Sequence, residues 1–180
     1  MTEQKIKQDG HIHLADGRSA TLTAVQFPDG ACQVTLLTND IKRERIAFCR
    51  CSSVDDALYF FDAIKEEYHI PELTGKYQKL ADDLKAALAY GLNHKGTDDG
   101  GTSNLDVPTI SLPGWDQALV MAAAKLAGLR FFEWEFGSSK AYVFSVPGVG
   151  QGYTRTYAAE AMSHYLKEQG YAAGMYYQMD

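Results

Sequence analysis

Arg130-Phe-Phe-Glu-Trp-Glu-Phe136, Gly137-Ser-Ser139 and Lys140-Ala-Tyr-Val-Phe-Ser-Val146 read as two strands joined by a tight turn. Successive side chains of a strand point to opposite sides. Phe132, Trp134 and Phe136 therefore share one side of the first strand, and Phe131, Glu133 and Glu135 the other. Tyr142, Phe144 and Val146 share a side of the return strand and read as core beside Trp134. Upstream, Thr109-Ile-Ser-Leu112 is a short strand, and Pro113-Gly-Trp-Asp116 opens a helix with Leu119, Ala122, Ala123 and Leu126 in one stripe, stopped by Gly128. Downstream, the glycine-rich loop Pro147-Gly-Val-Gly-Gln-Gly-Tyr-Thr154 leads into a helix striped by Tyr157, Ala158, Ala161, Met162, Tyr165 and Leu166. Gly170 ends that helix, and Tyr171 to Met179 supply a last strand. The order β-α-β-β-α-β over 109–180 predicts a ferredoxin-like unit, two helices covering one face of a four-stranded antiparallel sheet.

The first half is punctuated differently. His11–Leu14, Ala20–Phe27, Ala31–Thr38 and Arg43–Cys51 read as strands, with Asp16-Gly17 and Asp29-Gly30 between the earlier ones. Asp-Gly between β-rich runs signals a hairpin, because glycine adopts positive φ without steric cost. The spacing of Leu22 and Val25 breaks strict alternation and suggests a bulge or a register change there. Ser53-Val-Asp-Asp56 has capping-box spacing at the head of a helix striped by Val54, Ala57, Leu58, Phe61, Ile64 and Tyr68. Pro71 ends it, since the residue before proline avoids the α region. Tyr77, Leu80, Ala81, Leu84, Ala87 and Leu88 stripe a second helix, with Gly91 as its stop. The fold class is α+β. Residues 1–92 form an antiparallel meander with two helices, 93–108 a Gly/Asp-rich joint, and 109–180 the ferredoxin-like unit.

Of the 180 residues 46% are hydrophobic, enough to offset the entropy of ordering the chain. The net charge of −6 divides evenly, −3 in residues 1–94 and −3 in 95–180. Neither half has the basic surplus that drives phosphate-backbone binding. Met1 to Lys7 is polar and leads into no apolar core, and no run reaches the roughly 20 apolar residues of a membrane span. A cytoplasmic protein without membrane association is expected. Cys32, Cys49 and Cys51 are odd in number and lack CxxC spacing, which fits small buried side chains in a reducing compartment.

No motif predicts catalysis, a metal or a cofactor. Gly148, Gly150, Gly152 and Thr154, between a strand and a helix, are candidates for binding an anion through free N–H groups. No Gly-Lys-Ser/Thr follows them, and Tyr153 stands where GxGxxG needs glycine. The same loop also reads as a plain turn with Thr154 as N-cap. The joint gathers Asp98, Asp99, Asn104 and Asp106 near His94, but their spacing fits no EF-hand, and Asx-capped turns account for them. His11 and His13 share a strand side without an evident third ligand. Lys140, Tyr142 and Phe144 match the third-strand motif of RNA-recognition domains, while Ala141, Val143, Ser145 and Pro147 depart from it.

Asn93-His-Lys-Gly-Thr-Asp-Asp-Gly-Gly-Thr-Ser-Asn-Leu-Asp106, Leu112-Pro-Gly-Trp115, Glu160-Ala-Met162, Gly170-Tyr171 and Tyr176-Tyr-Gln-Met-Asp180 carry a resemblance. Over residues 93–180 the chain resembles an uncharacterised family of small proteins carried on bacterial plasmids, conjugative elements and prophages. Small proteins of such elements include anti-CRISPR inhibitors of the type II CRISPR-associated nuclease, and the chain is similar to those in size and acidity. The resemblance implies a non-enzymatic accessory protein that binds and inhibits a host nuclease or its guide-RNA complex. It carries over no motif residue. The acidic positions that would meet a basic channel are Asp82, Asp83, Asp98, Asp99, Asp106, Glu133 and Glu135, with Asn104 beside them. The alternative is an accessory protein that binds nucleic acid or a nucleotide through loop 148–152 and the second sheet.

Overall fold

In a computed structural model, residues 3–98, 100–101, 104–136 and 139–178 are described, with backbone alone for 133–136 and 139–140. They form two compact units, Met1–Pro71 and Glu72–Asp180.

In the first unit, β1 (Gln4–His13), β2 (Ser19–Gln26), β3 (Cys32–Thr38) and β4 (Arg45–Cys51) make an antiparallel meander in that order, followed by α1 (Val54–Tyr68). The Asp-Gly turns form as read. Gly17 and Gly30 take φ of 84° and 87°, and the preceding aspartates accept from Arg18 N and Ala31 N. Ala20, Leu22, Ala24, Val34 and Leu36 alternate inward and are fully buried against Ala57 and Phe61 of α1. Register changes fall at the expected place, but the extra residues belong to β1, between Lys5 and Lys7 opposite Val25 and Ala24, and between Asp9 and Ile12 opposite Leu22 and Ala20. β2 is regular, with Leu22 inward and Val25 on the other side, and a further register shift falls where β4 meets Leu36 and Leu37. His11 and His13 are exposed, Cys32 is buried, and Cys49 and Cys51 are half-buried.

Ser53 caps α1. Its Oγ accepts from Asp56 N at 3.1 Å and donates to Asp56 Oδ2 at 2.7 Å. Ser53→Ala should lower the stability of this unit by about 1 kcal/mol, read as a shift of the denaturation midpoint in far-ultraviolet circular dichroism.

The second unit contains α2 (Gly75–His94), β5 (Val107–Ser111), α3 (Gln117–Leu126), β6 (Arg130–Phe136), β7 (Ser139–Ser145), α4 (Tyr153–Glu168) and β8 (Ala172–Tyr176). Its sheet runs β6-β7-β5-β8 with every neighbouring pair antiparallel, the strand order of the ferredoxin-like arrangement. Ile110, Phe144, Val120, Met162 and Leu166 are fully buried.

The boundary between the units falls between Pro71 and Glu72, not at 92/93, because α2 packs against both α3 and α4. Its stripe of Leu80, Ala81, Leu84 and Ala87 belongs to the second core. Gly91 does not stop α2, which continues to His94. A Cβ there would lie 2.7 Å from both Ala158 O and Met162 Cγ, so the glycine lets α2 and α4 approach. The register pairs Tyr142 with Glu133 and Trp134 with Ala141, which sets Tyr142 one position away from its expected neighbour Trp134. Leu119 and Leu126 are only half-buried, and Val120 and Ala124 take the inner positions of α3.

Candidate functional site

The glycine loop and the joint, read separately in the sequence, meet at the head of α4. Gly152 is the N-cap, with φ 73° and ψ −139°, a backbone region that glycine alone reaches without strain. Thr154, expected as N-cap, lies inside the first turn and is buried. Tyr153 N donates to Gly100 O at 3.0 Å, and Leu105 N donates to Gln178 O at 2.8 Å. The joint is thereby pinned to α4 on one side and to the segment after β8 on the other.

Asp106 lies at the centre and is buried. Its Oδ2 accepts from Thr156 Oγ1 at 2.6 Å and from Asn104 Nδ2 at 3.1 Å, and its Oδ1 accepts from Gln178 N at 3.2 Å. All three donors are neutral. The positive end of α4 favours the carboxylate, but among the described residues no cation pairs with it. Asn104, also buried, directs Nδ2 at Asp106 Oδ2, Gly152 O (3.2 Å) and Thr156 Oγ1 (2.9 Å). The reversed amide would set an oxygen against two acceptors, so these partners fix its orientation. Among the described residues, Asn104 Oδ1 is buried without a partner.

These groups line a cleft of about 550 Å³ together with Gly101, Tyr153 and Tyr177. Tyr153 and Tyr177 are about half exposed, and Tyr153 stacks on Tyr157 with centroids 6.1 Å apart. Tyr157, expected in the core, is 48% exposed. The Tyr177 hydroxyl donates to Glu160 Oε1 at 3.0 Å, and its partial burial beside that carboxylate pushes its pKa up. The described lining holds acceptors, a carboxylate and aromatic rings, and no lysine, arginine or histidine.

The sequence-derived candidates divide. Asn104, Asp106 and Gly152 come together in the cleft. Asp98 only closes an Asx turn, accepting from Gly100 N at 2.9 Å. Asp99 lies outside the described residues, as do the side chains of Glu133 and Glu135 on β6. Asp82 accepts from Gln78 on the exposed side of α2. Asp83 is engaged by Lys79 and by the Tyr171 hydroxyl, whose pKa burial and that carboxylate push upward. Gly148 O accepts from Lys95 Nζ at 2.9 Å and Gly150 O from Arg155 Nε at 3.3 Å, so these glycines present carbonyls to cations. Thr156, Tyr153 and Tyr177 escaped the sequence reading. Only the i, i+4 spacing of Tyr153 and Tyr157 signalled a shared helix face.

Among the described residues no three His, Cys, Asp or Glu side chains converge as a metal site, and no helix is long and apolar enough to cross a membrane. No protein-family model, no curated protein and no solved structure matches the chain.

Proposed function

We propose that this chain acts by binding a protein partner, and that the cleft at the head of α4 receives a lysine or arginine side chain of that partner. The observation that carries the reading is the buried Asp106 carboxylate, held by neutral donors alone in a cleft whose described lining has no basic group. A cation entering the cleft gains Coulomb attraction to Asp106 and the faces of Tyr153 and Tyr177. Asn104 Oδ1 offers a further acceptor if the cleft adjusts on binding. Both Asp106 oxygens already accept hydrogen bonds, which suits a fixed recognition group better than a proton-transfer base.

The partner class we propose is the one the resemblance of residues 93–180 implies, a host defence nuclease of the type II CRISPR kind, inhibited without catalysis. Such nucleases hold nucleic acid in strongly basic channels, and a net charge of −6 would speed encounter with one. The test is co-elution of the chain with guide-loaded nuclease, and inhibition of its DNA cleavage. Complex formation and blocked cleavage are expected at micromolar concentration. The double variant Tyr153→Ala/Tyr177→Ala should weaken the complex at least tenfold, as loss of aromatic anchors does, costing roughly 1–2 kcal/mol or more. No complex would overturn the choice of nuclease. A complex indifferent to the double variant would overturn the cleft.

A further inference from the structure

The sheet of the first unit has two unlike sides. One is buried against α1. The register places Lys5, Gln33, Thr35, Arg45, Phe48 and Arg50 together on the other: Lys5 opposite Val25, Val25 opposite Gln33, Gln33 opposite Arg50, Thr35 opposite Phe48 and Leu37 opposite Arg45. Every charged strand residue on that side is basic, although the chain as a whole is acidic. Phe48 is 42% exposed, and the guanidinium carbons of Arg45 and Arg50 lie 4.8 and 5.9 Å from its ring centroid. Among the described residues neither arginine forms an ion pair. Two carboxylates at the rim are already engaged: Glu44 by Arg18 at 2.7 Å, and Asp29, which lines a small recess with Arg50, by Ala31 N.

We propose that this open face binds single-stranded nucleic acid. An exposed ring between two guanidinium groups offers a stacking surface for a base, with cations at hand for the phosphates on either side. Gln33 and Thr35 add uncharged donors and acceptors between them, bonded to each other at 3.0 Å across one strand. A basic face selects an anionic occupant, and the ring favours a polymer of stackable bases over an acidic peptide, which presents carboxylates but no matching π-face. The net charge of −6 opposes a polyanion at long range, so the contact is short-range and of micromolar strength at low salt. The inference does not rest on the cleft, which belongs to the second unit.

Fluorescence anisotropy of a labelled 20-nucleotide uridine or thymidine oligomer, titrated with the full chain, tests it. Three phosphate contacts give a salt slope of about −2, so raising salt from about 50 to about 200 mM should weaken binding roughly 20-fold. Arg45→Gln/Arg50→Gln should lose about tenfold or more, and Phe48→Leu, which keeps the charge and an apolar side chain, should also lose about tenfold through stacking. Lys85→Gln/Lys167→Gln, matched in charge change but on α2 and α4, should bind like the parent, as should Tyr153→Ala/Tyr177→Ala. Absence of binding at about 100 μM in low salt, a flat salt dependence, or equal loss in the lysine control would overturn the proposal. So would competition by poly-glutamate as potent as that by oligonucleotide, which would assign the face to an acidic protein. If the arginine variant does not fold, Phe48→Leu and the salt slope decide.

Discussion

Asp106→Ala is expected to destabilise the second unit by roughly 2–4 kcal/mol, the cost of taking the acceptor away from buried neutral donors. The substitution leaves Gln178 N without its acceptor, leaves Thr156 Oγ1 only the longer contact to Gly152 O at 3.3 Å, and removes one of three acceptors from Asn104 Nδ2. Each buried donor left unpaired costs about 1–3 kcal/mol, reduced where water reaches it through the cleft. The chain supplies its own probe. Its two tryptophans, Trp115 and Trp134, both belong to Glu72–Asp180, so indole fluorescence in a urea titration reports this unit without the other. Asp106→Asn keeps the shape but turns one acceptor into a donor facing donors, and should cost about 1–3 kcal/mol. A midpoint unchanged in both variants would show that the network contributes nothing to stability.

The second large effect is expected at Gly91. Alanine would bring about 1 kcal/mol of helix propensity. Against this stands a Cβ at 2.7 Å from the Ala158 carbonyl oxygen, an atom of the α4 backbone that cannot move aside alone. Overpacking of this kind costs about 1–3 kcal/mol, so Gly91→Ala should be destabilising by roughly 1–2 kcal/mol net and Gly91→Leu by about 3. The same tryptophan titration measures both. If Gly91→Ala were stabilising, α2 and α4 would have to be farther apart than their contact implies.

Features that depend on neighbours in sequence were legible. Asp29-Gly30 and Ser53 to Asp56 form their turn and cap because each needs only residues within four positions. The strand order of the second sheet followed from β-α-β-β-α-β, because few connections are compatible with that succession. Gly91 was misread because a glycine that ends a helix and one that admits a neighbouring helix look alike until the neighbour is placed. The unit boundary failed for the same reason: the stripe of α2 shows that something covers it, but not which core. The cleft was half legible. Asn104, Asp106 and Gly152 were singled out, but Thr156 lies 52 positions from Asn104, and no spacing rule connects them. Tyr157 read as core because it continues the period of Ala158 and Met162 at the margin of the stripe, where burial depends on what packs opposite.

The two sheets differ in the length of chain that must be gathered to complete them. In the meander each strand pairs with the next in sequence, so short hairpins can close one after another within Met1–Pro71. In the second sheet β5 cannot gain both its neighbours until β7 and β8 have returned, with Thr109 pairing to Val143 on one side and to Gly174 on the other. Loop closure over such separations carries an entropy cost before any contact is made, and it slows folding. The first unit is therefore expected to reach its native state earlier than the second. The cleft, which needs the joint, α4 and the segment after β8 together, is expected among the last features of the molecule to form.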